Sequence, residues 1–193
     1  MVRVAVTTIT AYDRHIQQLF DVVTRLTAAL GGEGIEYRVI GGIAVFLHVQ
    51  ERDPMAARAT RDLDIAVDRR DLDRLLLAVR PLGLEYRHAA GVDMLVDVRD
   101  PKARSAVHLI FVGEKVRSEY LEPVPGFSEP TRTAEGVLLV GVPDLVRMKL
   151  TSFRLRDRVH LKDMDGVGLI TAEIEAALPD PLRDRLRAVR AEE

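Results

Sequence analysis

The sequence predicts an α+β fold: a mixed β-sheet flanked by helices, with a helical C-terminal extension. Three observations carry this. A helical-period apolar stripe runs through residues 11–30, short strand-like runs fall between residues 36 and 140, and from Pro143 the pattern is helical to the end. Strands and helices do not alternate regularly, which separates this order from a doubly wound sheet.

Each element follows from its own residues. Ile16, Leu19, Phe20, Val23, Leu26 and Leu30 keep the helical period from Ala11 to Leu30, with Thr10 and Asp13 as an N-terminal cap and Gly31-Gly32 as the stop. Glu36 to Ile40 is a short strand ending at Gly41-Gly42, and Ile43 to Val49 is a short apolar helix. Gln50 to Arg61 is polar and irregular, carries Arg52, Arg58 and Arg61, and reads as an active-site loop or an insertion. Asp62 to Val67 is the second strand. Leu72, Leu75, Leu76, Val79 and Leu82 form a helix stripe, with Asp68 as its cap and Asp71 in its first turn. Leu84 to His88, Met94 to Val98 and Ala106 to Val112 are strand-like. Pro123, Pro125, Gly126 and Pro130 mark a long loop before a strand at Val137 to Val140. The helical region breaks near Gly166 and Gly168 and is punctuated at Leu178 to Pro181. The expected organisation is a core over residues 1–141 and a helical region over 142–193, either separate or continuous with the core.

Composition bounds the function. A chain of 193 residues with 47% hydrophobic content can bury one proper core, and its 30% charged residues are finely interspersed. The net charge of −2 argues against a dedicated nucleic-acid-coating protein but allows a local basic groove. With no cysteine there is no disulfide, thiolate metal site or catalytic thiol. No apolar run is long enough for a bilayer, and the start lacks a signal-peptide pattern, so a soluble cytoplasmic protein with no membrane partner is expected.

The chemistry concentrates in two places. Side chains alternate along a strand, so Asp62 and Asp64 project from one face while Leu63 and Ile65 project from the other. Two neighbouring carboxylates repel, and a divalent cation is the usual reason to hold them together. Gly41-Gly42, about twenty residues earlier, leaves room for a phosphate to approach. Together these point to a nucleotide–metal site.

The run Tyr37-Arg-Val-Ile-Gly-Gly-Ile-Ala followed by Ala59-Thr-Arg-Asp-Leu-Asp-Ile resembles the nucleotidyltransferase fold of the DNA polymerase β superfamily. It is most similar to the minimal AbiEii/MenT-like nucleotidyltransferases of prokaryotic toxin–antitoxin systems. Asp144-Leu-Val-Arg-Met-Lys-Leu-Thr-Ser-Phe and Arg156-Asp-Arg-Val-His-Leu-Lys-Asp-Met resemble that family's downstream Lys-bearing helix and Lys-Asp helix. The resemblance spans Glu36 to Asp165. It implies that Asp62 and Asp64 hold one or two Mg²⁺ ions and that an NTP is the substrate. It further implies that Gly41, Gly42, Thr60, Arg61, Lys149 and Asp163 contact the nucleotide, with Lys149 as a point charge for the β- or γ-phosphate.

Simpler readings stand beside these. Asp62 and Asp64 could be a solvated pair at a strand start, and Gly41-Gly42 only a tight turn. Lys149 could be a snorkelling lysine, Lys162 and Asp163 a solvated pair, and Arg58 and Arg61 plain surface charges suited by position to phosphate or RNA. One departure is clear. The family places a third carboxylate on a later central strand, where this chain has Ala106-Val-His-Leu-Ile-Phe and so offers His108. His108 is then a general base or a hydrogen-bonded strand residue, with Asp93 and Asp97 as nearby carboxylates able to substitute.

The leading expectation is therefore a metal-dependent transferase moving NMP from an NTP to a hydroxyl of a tRNA 3′ end or a protein, as a toxin with an antitoxin partner. The alternative is a catalytically decayed nucleotide- or partner-binding module on the same fold. Modification of a small molecule, as by aminoglycoside nucleotidyltransferases, ranks lower because no aromatic-lined or strongly acidic segment stands out.

Overall fold

The computed structural model describes residues 19–58, 60, 62–99 and 106–192. The opening helix is seen over residues 19–32 (α1), with Leu19, Val23, Leu26 and Leu30 buried along one stripe as the helical period requires. Its expected cap at Thr10 and Asp13 lies outside the described residues, as does Arg61.

The first strand, β1 (Tyr37–Ile40), runs directly into α2 (Gly41–Arg52). The glycine pair is thus the first turn of the helix, not a turn ahead of a helix starting at Ile43. Gly41 makes this abrupt change possible with a φ of +72°, which L side chains rarely adopt. After the loop comes β2 (Leu63–Val67), with Asp62 immediately before it. Asp68 then accepts a hydrogen bond from the Arg70 backbone N–H and starts the 3₁₀ turn that leads into α3 (Leu72–Val79). Strands β3 (Leu84–Ala89) and β4 (Val92–Asp97) form a hairpin whose two linking residues, Ala90 and Gly91, both have positive φ, as a type I′ turn needs. Then follow β5 (Val107–Phe111) and the short pair β6 (Thr131–Arg132) and β7 (Leu138–Leu139). The sequence pattern points only to the second of that pair, because two residues are too few to show an alternation.

Among the described residues, seven strands form one mixed sheet in the order β3-β4-β5-β2-β1-β7-β6. At its centre β2 is antiparallel to β1 and parallel to β5. The helices α4 (Val142–Ser152), α5 (Leu155–Gly166), α6 (Ala172–Ala177) and α7 (Asp180–Ala191) complete the chain. The α6–α7 break falls at Leu178 and Pro179, where the punctuation at Leu178 to Pro181 predicts it.

Two cores lie on opposite faces of the sheet. Alternate residues of the central strands, including Val39, Ile65, Val67, Leu109 and Phe111, pack against α1 and against Leu75 and Val79 of α3. On the other face Ile40, Ala66 and Val140 pack with Ala44 and Val45 of α2 and with leucines of α4, α5 and α7. Between α4 and α5 the chain turns at Phe153, whose φ is +49°. The guanidinium groups of Arg158 and Arg185 lie over its ring, and Arg185 donates to the carbonyls of Leu150 and Thr151, satisfying the α4 C-terminus. That tie fixes α4 and α5 relative to the sheet's second face. Among the described residues no helix is long and apolar enough to cross a membrane.

Candidate active site

Asp64 and His108 meet because β2 and β5 are parallel neighbours in a register that pairs them directly. His108 Nδ1 lies 2.9 Å from Asp64 Oδ1, and both side chains are about one-quarter exposed, at 26% and 25%. The hydrogen bond to Asp64 raises the His108 pKa above the ordinary imidazole value; burial opposes this, and the charges of Asp64 and Asp62 reinforce it. Asp62 precedes the strand. Its backbone N–H donates to Thr60 Oγ1 at 3.3 Å, and its carboxylate receives a hydrogen bond from Arg156 of α5.

The glycine pair closes around these residues. A Cβ on Gly41 would stand 1.9 Å from Asp64 Oδ2, and one on Gly42 would stand 2.6 Å from Thr60 Oγ1. Both distances are impossible, so only glycine lets the start of α2 lie this close to the carboxylate. The α2 N-cap, Ile40, provides no side-chain acceptor, so the first N–H groups of α2 have no cap of that kind.

From the other side α4 and α5 bring cations. Lys149 is buried, and its Nζ donates to Asp157 Oδ1 at 3.1 Å. Asp157 is fully buried and also accepts from Ser152 Oγ at 2.7 Å, Arg154 Nε at 2.8 Å and the Arg154 backbone N–H. Burial pushes the Asp157 carboxyl up, but the Arg154 hydrogen bonds, the Lys149 charge and the Ser152 hydroxyl outweigh it and bring the pKa down to about 2. Lys149 is therefore not a free point charge; it is one arm of a Lys149–Asp157–Arg154 group at the cleft wall, in which Lys149 and Asp157 are buried and Arg154 is exposed. One turn further along α5, His160 is buried at 9% exposure, its Cε1 3.5 Å from a Cβ placed on Gly42. Burial, reinforced by the Lys149 charge, holds its pKa down at about 4.

Asp62, Asp64, Thr60, Gly41, Gly42, His108 and Lys149 all line one cleft of about 800 Å³. Asp163 does not line it. It is held by Arg58 Nε at 2.9 Å, on the stripe Arg156, His160, Asp163 with which α5 faces the loop after α2. Lys162 points elsewhere and donates to the Glu192 carbonyl. Asp93 and Asp97 cannot supply a third carboxylate here. The residue paired with His108 on β4 is Met94, so Asp93 and Asp97 project from the opposite face, where Asp93 binds Tyr86 and His88. Sequence reasoning missed Arg154, Arg156, Asp157, Ser152 and His160. The available signal was an aspartate three residues into a helix start, which suits its carboxylate accepting from the Arg154 backbone N–H.

Among the described residues no three His, Cys, Asp or Glu side chains converge as a ready-made metal cage. Two same-face carboxylates opening on a cleft nonetheless fit Mg²⁺, which is commonly held by one or two protein carboxylates with substrate phosphates completing its shell.

No protein-family model matches the sequence, and no curated protein matches it. Solved structures do match in fold. One is an antigenic nucleotidyltransferase-like protein from Paracoccidioides brasiliensis, 21% identical with a TM-score of 0.58 over 90% of this chain and 87% of that one. Another is ANT(2'')-Ia in complex with adenylyl-2''-tobramycin, 13% identical with a TM-score of 0.54 over 91% of this chain and 99% of that one. The seven-stranded mixed sheet and its flanking helices are thus a nucleotidyltransferase fold.

Proposed function

We propose that this chain is a nucleotidyltransferase that moves a nucleoside monophosphate from an NTP to an acceptor hydroxyl. The observation that carries the reading is the contact between Gly41 and Asp64: the α2 N-terminus lies so close to the acidic strand that a single methyl group would collide with the carboxylate. Such an approach places backbone N–H donors for phosphate beside carboxylates for a cation. In the reaction the acceptor oxygen forms a bond to the α-phosphorus, the bond to the α–β bridging oxygen breaks, and pyrophosphate leaves with that electron pair. Asp62 and Asp64 would hold Mg²⁺, which when bound neutralises phosphate charge and aligns the groups. With the His108 proton on Nδ1 and donated to Asp64, Nε2 is the nitrogen left to accept the acceptor's proton. Thr60, the N–H groups of Gly41 and Gly42 and the Lys149–Arg154 wall bind phosphate. Arg61 is assigned to the nucleotide from its place beside Thr60 in sequence, and Asp163 holds the loop that carries them.

The acceptor is assigned to a tRNA 3′ end or a protein hydroxyl, and the setting to a toxin with an antitoxin, on the strength of the AbiEii/MenT-like motifs. The fold also serves a protein solved with adenylyl-2''-tobramycin, so a small polyol belongs in the same test. Incubation with Mg²⁺, labelled NTPs and, separately, total tRNA, total protein and tobramycin should label one acceptor. The label should vanish in Asp62→Ala and Asp64→Ala; equal labelling by wild type and both variants overturns the proposal. A second reading, a decayed nucleotide-binding module, is favoured by one observation: His108 stands where a carboxylate is expected and engages Asp64. Calorimetry separates the two, because the decayed module binds NTP without turnover and with little dependence on Mg²⁺.

A further inference from the structure

His160 lines the cleft, and nothing above uses its polar atoms. Its Nδ1 is buried without a hydrogen-bond partner. Leaving such an atom unpaired is costly, and a native fold keeps it only for a reason such as a bound water or ligand. The ring sits under the first turn of α2. Its Cε1, flanked by the two ring nitrogens, is 3.5 Å from the point where Thr60 Oγ1 also closes on Gly42. A threonine hydroxyl and an imidazole therefore lie beside the first turn of a twelve-residue helix whose N–H groups have no side-chain cap. Resting on the phosphate reading above, we infer that His160 is a further phosphate-binding residue, with Nδ1–H donating to an anionic oxygen of the polyphosphate seated at the α2 N-terminus.

The charge around His160 suits this role. Lys149, Arg154 and Arg156 lie around it and already supply the cations, and Asp157 neutralises part of them. A neutral imidazole adds a directed donor without adding a further charge to the wall.

The test is binding of inorganic tripolyphosphate and of a non-hydrolysable NTP, measured by calorimetry on the full chain. His160→Phe removes the donor and should weaken both ligands by about tenfold to a hundredfold. His160→Asn, whose amide nitrogen replaces Nδ1, should restore most of the affinity. On wild-type protein labelled with ¹⁵N in histidine, tripolyphosphate should shift the Nδ1 resonance of His160, a readout that survives if either variant misfolds. An unmoved Nδ1 resonance with tripolyphosphate bound, or unchanged affinity in His160→Phe, overturns the inference and leaves the transferase reading standing. Failure of wild type to bind either ligand removes both.

Discussion

Gly41 has a φ of +72°, and the direction in which a side chain would grow is filled by the Asp64 carboxylate. Gly41→Ala should therefore cost about 2 kcal/mol or more by urea unfolding, combining backbone strain with the collision. Gly31→Ala, where a Cβ meets nothing, is the matched control and should be neutral or slightly stabilising. At the same scale two buried groups of the cleft contribute to the acid sensitivity of the fold. His160 has its pKa lowered to about 4, so the unfolded chain binds that proton first and stability falls as pH drops from about 6.5 toward 4, by about 3 kcal/mol at most. Asp157, lowered to about 2, contributes stability that is complete above its unfolded value near 3.8 and is lost as pH falls toward 2. Unfolding curves recorded from pH 7 to pH 3 should show the first loss in wild type and a reduced loss in His160→Asn. His108 offers a different test. His108→Asp would place a carboxylate beside Asp64, and its expected effect is tighter Mg²⁺ binding in calorimetry.

At the scale of elements, α5 does the most to assemble the cleft. Its N-cap is Arg154, its first turn supplies Arg156 and Asp157, and its second supplies His160. The pair between Arg156 and Asp62 is exposed, at 67% and 39%, so Arg156→Gln should change stability by less than about 1 kcal/mol. Asp157 behaves oppositely. Asp157→Ala strands Lys149 in a buried position and should cost about 3–5 kcal/mol, measured by chemical denaturation. The contrast tests whether the Lys149–Asp157–Arg154 wall holds α4 to α5 or merely decorates it. How much of this was legible in sequence differs by element. The helical period of α1 and the alternation of β2 are local patterns, and they carry through, whereas α1 runs on through Gly31-Gly32 and turns at Gly34, whose φ is +62°. The start of α2 at Gly41 was not legible, because a glycine pair reads the same in a turn as in a helix's first turn. Nor was β6, a two-residue strand that exists only through its pairing with β7.

For the whole molecule, the second core is a single cluster running from Ala44 of α2 through Ala66 and Val140 of the sheet to Leu182, Leu186 and Val189 of α7. We propose on that ground that residues 142–193 unfold together with the rest, in one calorimetric transition, and that removing α7 lowers the melting temperature of the whole chain. Two separated transitions would show instead that the helical region stands alone.

The sequence by itself determined the alternation that puts Asp62 and Asp64 on one face, the apolar periods that build both cores and the glycine pair after a strand. Each depends on residues close together in the chain, where geometry is set by the backbone period. Only the tertiary structure decided what surrounds the acidic pair. The β2–β5 register gives Asp64 a histidine and turns Asp93 and Asp97 to the far face, and the Phe153 turn brings α5's Arg156 to Asp62 and His160 to Gly42. Those partners are 44 and 94 residues from the carboxylates they touch, a separation no local period encodes.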